Sequence, residues 1–462
     1  VHALKPLILL AILAAMWWFP PPSGLPREGW HLLGVFVAVI AGFLLQAYPM
    51  APMVLFGLLA CVLTDLLSME RALAGYGDET VWLVVGAFLL AGAVQGTGLG
   101  RRIVLTLVVR LGRSTVGLGY AQAAAELLLG PLVPSNTARG GGILAPICGS
   151  LAMALDAESP KRAGAYLSLV GAHANIVTAA MFLTGMAANP IFARAAQDVY
   201  GVRFDWTMWA LGAIAPGLLT LALLPWVLSK LAPPELRDGR PAQERAHEAL
   251  AAMGPWLRGE RVMAAVFFAM LGLWVTQRWH GLGTALVAWL GLAVLLLTGT
   301  RLWKEMAADE RTWDALIWLG GLLTLATALK DHGVIAWFAG TMAQRVEGLG
   351  TLSTLLVLAL VYFYSMYGFS MLTAHLTAMA AAFLGVCHVA GVPSMLAVPL
   401  LAYFSNLCAC TTNYSTGPVI IYFGLGYVPA ATWFRVGFFV SLLHLIVWIG
   451  GGLAWWKLLG WW

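Results

Sequence analysis

The chain has 462 residues, of which 61% are hydrophobic and 10% charged, against roughly 25% charged and 45–50% apolar in soluble globular domains. A water-soluble fold has too little interior to hide that much apolar surface, which excludes a soluble enzyme or a nucleic-acid-binding domain. The formal charge of +5, from 26 basic and 21 acidic side chains, reports how a membrane protein is oriented rather than a polyanionic partner.

In chain order, residues 4–19 are the first apolar stretch. No small-residue cleavage site follows, while Trp17, Trp18 and three prolines do, so the stretch reads as a retained first helix rather than a signal peptide. Further apolar stretches run over residues 30–47, 51–67, 81–94, 166–186, 206–231, 262–275, 283–298, 313–329, 352–367 and 436–453, separated by charges, Pro or Gly. They suit a hydrocarbon core about 30 Å thick. Helices are expected, because a membrane barrel needs short alternating strands. The positive-inside rule places Arg101, Arg102, Arg110, Arg113, Lys161, Arg162, the 232–261 loop, Arg301 and Lys304 in the cytoplasm with the amino terminus, and acidic Asp65, Glu70, Asp78 and Glu79 outside. Cys61, Cys148, Cys387, Cys408 and Cys410 form no C-x-x-C pair and read as small buried hydrophobes.

The long polar stretch near residues 232–260, with Pro233, Pro234 and Pro241, divides the chain. The expected organisation is a first transmembrane helix and loop (1–29), a first repeat (30–231), a cytosolic connector (232–261) and a second repeat (262–462). Residues 86–93 (GAFLLAGA) line up with 321–328 (GLLTLATA), and Gly98 then meets Gly333. After each comes an amphipathic segment (101–113; 334–345) and two polar interruptions of apolar sequence. They are 134–142 (PSNTARGGG) and 173–190 in the first half, 370–377 (SMLTAHLT) and 405–418 in the second. Paired Gly/Pro-interrupted segments point to a transporter's midplane site. Five helices and one re-entrant hairpin per repeat (about 120–150 and about 360–390) make the repeats inverted. The fold expected is all-α and polytopic, with about 11 transmembrane helices.

The interruptions carry the chemistry. Ser135, Asn136 and Thr137 supply hydroxyls and an amide at a hairpin tip, where backbone N–H groups can bind a carboxylate; a plain helix cap is the competing reading. The glycine triplet after Arg139 implies close packing or a ligand. An arginine at membrane depth costs about 2.5–3.5 kcal/mol on insertion scales, so Arg139 needs a partner: either Glu126 or a substrate anion. His375, between Thr373 and Thr377, is the other unusual group, a structural hydrogen-bond donor or a ligand. Thr373 and Thr377 offer hydroxyls to a substrate, and Asn175, Thr178, Asn406, Thr411, Thr412, Asn413, Ser415 and Thr416 offer further neutral donors, to a substrate or to neighbouring helices. Thr416-Gly417-Pro418 and Asn189-Pro190 each break a helix beside a polar side chain. No Walker loop, H-E-x-x-H helix or G-x-S-x-G elbow is present. No enzyme, metal or cofactor is expected.

Residues 134–146 (PSNTARGGGILAP), 173–190 (HANIVTAAMFLTGMAANP) and 405–428 (SNLCACTTNYSTGPVIIYFGLGYV) make the chain resemble, over nearly its whole length, the divalent anion/sodium symporter family. Within it they are similar to the exchanger branch of 2-oxoglutarate/malate, citrate/succinate and tartrate/succinate antiporters. The resemblance implies a homodimer with a scaffold and an elevator-type transport domain, and substrate ligands at Ser135, Asn136, Thr137, Asn175 and Thr416. Sodium-coupled members keep a Ser-Asn-Thr motif in both hairpins; the second hairpin here has Thr373-Ala374-His375-Leu376-Thr377 instead. Arg139 and His375 stand where cationic side chains replace sodium in sodium-independent relatives. The expected function is sodium-independent exchange of small dicarboxylates of the succinate, malate, 2-oxoglutarate and tartrate class, with citrate at its edge. Sodium- or proton-coupled symport is the alternative, and a channel or receptor-like membrane protein the reading from another class. The expected partners are a dicarboxylate and its counter-substrate, the lipid bilayer and a second copy of the chain, with no nucleic acid. The expected location is a bacterial inner membrane, with the plastid envelope as the alternative.

Overall fold

The computed structural model describes residues 4–131, 133, 135–156, 159, 161–345 and 348–462, with all their side chains except those of residues 161 and 162. Pro134 and the side chains of Lys161 and Arg162, on which the sequence analysis draws, lie outside the described residues. Among those residues the protein is all-helical, without a strand. Nine helices among the described residues are long and apolar enough to cross a membrane: Arg27–Leu45, Glu79–Thr97, Thr137–Leu155, Trp206–Leu231, Glu310–Asp331, Thr351–Gly368, Leu372–Val389, Ser394–Thr411 and Ala430–Leu458. Shorter apolar helices add Leu4–Trp18, Met50–Leu63, Thr284–Leu297 and Val334–Ala343.

Two compact units interleave along the chain: Val1–Val85 with Pro190–Phe204 and Glu310–Leu401, and Gly86–Asn189 with Asp205–Asp309 and Ala402–Trp462. In the first unit, Glu310–Asp331 is the inner helix. Its Thr324 hydroxyl accepts the Gly75 N–H at 3.0 Å and donates to the Ala72 carbonyl at 3.3 Å, which removes two loop groups from the unsatisfied backbone. In the second unit, Lys161–Met181 is central: every residue from 163 to 181 except Ala165 is buried. Its neighbours include Thr115–Leu129, Ala145–Leu155, Trp206–Leu231 and Gly417–Gly424. Large rings pack around it with their polar ends satisfied. Tyr166 donates to Pro225 O at 3.0 Å, Trp209 to Ala180 O at 2.8 Å and Tyr403 to Trp209 O at 2.8 Å.

Gly98 and Gly333 adopt left-handed φ of 80° and 74°. Each ends a long apolar helix, Glu79–Thr97 or Glu310–Asp331, and starts a short one, Leu99–Leu111 or Val334–Ala343. Only glycine takes that conformation without a Cβ penalty, so the two residues matched in sequence serve the same local purpose.

The polar connector is folded rather than extended. Residues Arg240–Ala252 form a helix whose buried Ala242 and Ala246 pack on Leu99–Leu111. Gln243 Nε2 donates to Val109 O at 2.6 Å, and an isolated antiparallel bridge joins Ser114 to Asp238. Small residues at positions 242 and 246, four apart on one helix face, let the connector approach closely. The proline-rich composition concealed that spacing.

Candidate functional site

Helix Thr115–Leu129 leads to the first interruption, and a new helical segment starts at Ser135. The Ser135 hydroxyl accepts the Ala138 N–H at 3.1 Å and its carbonyl accepts the Arg139 N–H at 2.9 Å. Ser135 is therefore an N-cap, and the segment Thr137–Leu144 continues as a wide π-helical turn into Ala145–Leu155. In the last interruption Thr416 is extended, with φ −141° and ψ 159°, and its hydroxyl accepts the Val419 N–H at 3.4 Å at the start of Gly417–Gly424. The two capped starts touch. A Cβ on Gly417 would overlap Thr137, and one on Gly140 would lie 3.1 Å from Pro418 Cβ. Two helix N-termini, each with a partial positive charge, thus converge, their first-turn N–H groups partly taken up by the caps at Ser135 and Thr416. Ser135, Asn136 and Thr416 are buried while Thr137 is exposed. The Asn136 amide makes no side-chain hydrogen bond among the described residues, which leaves its donors free at the junction.

We expect Gly417→Ala to lower stability by about 1–3 kcal/mol, because the added methyl collides with Thr137 across the two helix starts. Pairing it with Thr137→Ser, which removes one of the colliding carbons, should recover part of the loss in the same thermal-unfolding measurement.

The glycine triplet is explained by packing on three sides. A Cβ at Gly140 would lie 2.7 Å from Asn175 Nδ2, one at Gly142 3.0 Å from Gln95 Nε2, and one at Gly141 would overlap Ile421. Gln95, a lone amide in an apolar helix that the sequence reading passed over, donates to Ala138 O at 3.1 Å.

Arg139 has one of the two partners its sequence context allows. Its guanidinium is fully buried and pairs with Glu126, Nε to Oε2 at 2.6 Å, with both side chains 0% exposed. The remaining donors go to Val133 O at 2.7 Å, Gly185 O at 3.2 Å and Thr178 Oγ1 at 3.2 Å. Glu126 also receives Asn175 Nδ2 at 3.0 and 3.1 Å. Of the two candidates for neutralising Arg139, Glu126 on helix Thr115–Leu129 is the one that pairs with it. Arg139 is thus no free positive charge in this structure, and the Asn175 amide nitrogen faces Glu126 and the Asn136 carbonyl rather than an open site. The pair bonds backbone just before the tip, at Val133, and in the break after Met181, at Gly185.

That break is closed by Asn189, whose Nδ2 donates to Ala179 O at 2.8 Å and Phe182 O at 3.0 Å. Its Oδ1 receives Asn406 Nδ2 at 2.8 Å, so the second interruptions of the two halves meet through a neutral amide pair.

Thr373, His375 and Thr377 belong to the first unit and are described within it. Thr351–Tyr364, a short 3₁₀ turn and Leu372–Val389 give a helix–break–helix there. His375 is fully buried; its Nε2 lies 3.0 Å from Tyr362 O and 2.8 Å from Ser365 Oγ. A carbonyl partner requires N–H at Nε2, which leaves Nδ1, buried and without a hydrogen bond among the described residues. The Thr377 hydroxyl is engaged by Thr373 O at 2.8 Å, and the Thr373 side chain is half-buried. Among the described residues no group of three or more His, Cys, Asp or Glu can hold a metal ion.

The family described as "Sodium:sulfate symporter transmembrane region" matches residues 1–462. The chain is 39% identical over 467 residues to the chloroplastic dicarboxylate transporter 1 of Arabidopsis thaliana, covering 100% of this chain and 84% of that protein. It is 33% identical to the inner membrane protein YbhI of Escherichia coli, covering 99% and 98%. It is 32% identical to the citrate/succinate antiporter of Escherichia coli, covering 96% and 97%. Among solved structures, the YdaH transporter of Alcanivorax borkumensis superposes with a TM-score of 0.58 at 15% identity, covering 99% of this chain and 97% of that one. That likeness concerns the fold.

Proposed function

The chain belongs to the sodium:sulfate symporter transmembrane-region family, a family of multi-pass membrane transporters, and from that premise we propose that it carries small dicarboxylates by sodium-independent exchange. The observation that carries the reading is the meeting of two capped helix N-termini at Ser135–Thr137 and Thr416–Gly417. Two partial positive ends with free N–H groups and hydroxyls suit a carboxylate in a site shielded from water. The names of the Arabidopsis dicarboxylate transporter and the Escherichia coli citrate/succinate antiporter support the substrate class. Ser135, Asn136, Thr137 and Thr416 contact one carboxylate. Thr373 and Thr377 serve the substrate in the second hairpin, and Asn175 holds Glu126 in place. The two halves are inverted repeats of five helices and a re-entrant hairpin, with eleven spans in all. A homodimer moves substrate by an elevator motion, and the connector lies in the cytoplasm.

With Arg139 neutralised by Glu126, His375 keeps an unpartnered buried nitrogen, Nδ1, for the charge that sodium supplies elsewhere. In proteoliposomes loaded with succinate and free of sodium, external labelled succinate or malate should enter by counterflow. His375→Ala should abolish that uptake while the protein remains folded. The buried neutral Arg139–Glu126 pair favours a second reading, sodium- or proton-coupled symport, since it removes one of the two fixed cations. Uptake that requires a sodium or proton gradient and no internal dicarboxylate would establish that reading and exclude exchange.

A further inference from the structure

The second unit holds a cavity of about 1070 Å³ between helices Leu99–Leu111, Ala145–Leu155 and Arg240–Ala252. Its lining includes neither the Ser135–Thr137 tip nor Thr416, so it is separate from the site described above. The walls are apolar at Leu105, Ile143, Ile147 and Leu151 and cationic at Arg101 and Arg245. Arg102, also in the wall, is already satisfied. It pairs with Glu260 at 2.7 Å, donates to Gly254 O at 3.0 Å and lies over the Trp256 ring at 5.6 Å. Arg101 is exposed and has no hydrogen bond or ion pair among the described residues. Arg245 meets only Glu248, at 3.2 Å, with both side chains about two-thirds exposed. Exposed pairs of this kind are weak and exchange readily with another anion.

We propose that this cavity binds an anionic phospholipid, its phosphate at Arg101 and Arg245 and an acyl chain along Leu105, Ile147 and Leu151. The space exceeds what a four- or five-carbon dicarboxylate fills, as it matches the upper end of drug-sized pockets, and most of its wall has nothing to offer a small hydrophilic anion. A phospholipid combines the two chemistries the lining presents. The positive-inside rule puts this basic end in the cytoplasmic leaflet, where anionic lipid concentrates and where basic pockets between helices take acidic headgroups. Exposed Trp256 and Leu257 flank the region and suit the headgroup boundary. One wall is the hairpin helix Ala145–Leu155, so an occupied cavity braces the segment that carries the tip.

Native mass spectrometry of the full-length protein, titrated with phosphatidylglycerol or phosphatidylcholine, tests this. The wild-type protein should retain phosphatidylglycerol roughly tenfold more strongly. Arg101→Gln with Arg245→Gln should bring the two lipids to parity, and Ala249→Trp, which fills the cavity, should remove the tightly held lipid of either kind. Unchanged phosphatidylglycerol retention in both variants would overturn the proposal. So would displacement of the lipid by millimolar inorganic phosphate or succinate, which would make this a site for soluble anions.

Discussion

Glu126→Gln is expected to destabilise the protein by about 3–5 kcal/mol, the usual cost of removing one partner of a buried ion pair. The guanidinium of Arg139 would remain fully buried with no opposite charge, in a part of the protein where water cannot reach it. Arg139→Met should cost as much. It leaves the Glu126 carboxylate uncompensated and takes the donors away from Val133 O and Gly185 O, and buried carbonyls without donors cost about 1–3 kcal/mol each. The double variant should be destabilised by less than the sum of the two singles by at least about 2 kcal/mol, because both charges leave together. Thermal unfolding in a fixed detergent, followed by retention of the folded species, measures the cycle. If Arg139 served instead as the substrate's counter-charge, Arg139→Met would weaken dicarboxylate binding and leave thermal stability almost unchanged.

The opposite pattern is expected at the tip. Asn136→Ala and Thr137→Ala should each raise the half-saturating dicarboxylate concentration about tenfold to a hundredfold, since a hydrogen bond to a charged group contributes about 1.5–3 kcal/mol. Stability should hardly change: the Asn136 amide has no side-chain partner among the described residues and Thr137 is exposed. Ser135→Ala should show both effects, with about 1 kcal/mol of stability lost with the cap. Concentration-dependent counterflow on variants matched for folded protein checks this. Wild-type saturation in both Asn136→Ala and Thr137→Ala would remove these residues from the site.

Those two patterns separate what was legible in the chain from what was not. Long apolar stretches carry the helical class in the sequence itself, and Gly98 and Gly333 fall at matching positions after the aligned segments, where both adopt left-handed backbone. The Ser-Asn-Thr and Thr-Gly-Pro breaks were visible because polar residues beside Gly or Pro are unusual within apolar sequence. The partner of Arg139 was not. Glu126 and a bound anion satisfy the same electrostatic need, and choosing between them requires knowing that the chain after helix Thr115–Leu129 places residues 126 and 139 side by side. Likewise the Asn189–Asn406 contact spans 217 positions, and nothing local signals it. Gln95 carried a signal, an amide alone in an apolar helix, whose meaning depended on the glycine triplet packed against it. His375 was singled out by its composition, and the structure adds that its Nε2 is engaged while Nδ1 has no partner among the described residues.

Whether two capped helix starts hold a dicarboxylate is decided by locating succinate by cryo-electron microscopy of the protein in sodium-free nanodiscs at saturating succinate. A carboxylate is expected within hydrogen-bonding distance of Asn136, Thr137 and Thr416, with Arg139 still paired to Glu126. Succinate bound elsewhere, or an Arg139 guanidinium turned from Glu126 onto the ligand, would contradict it.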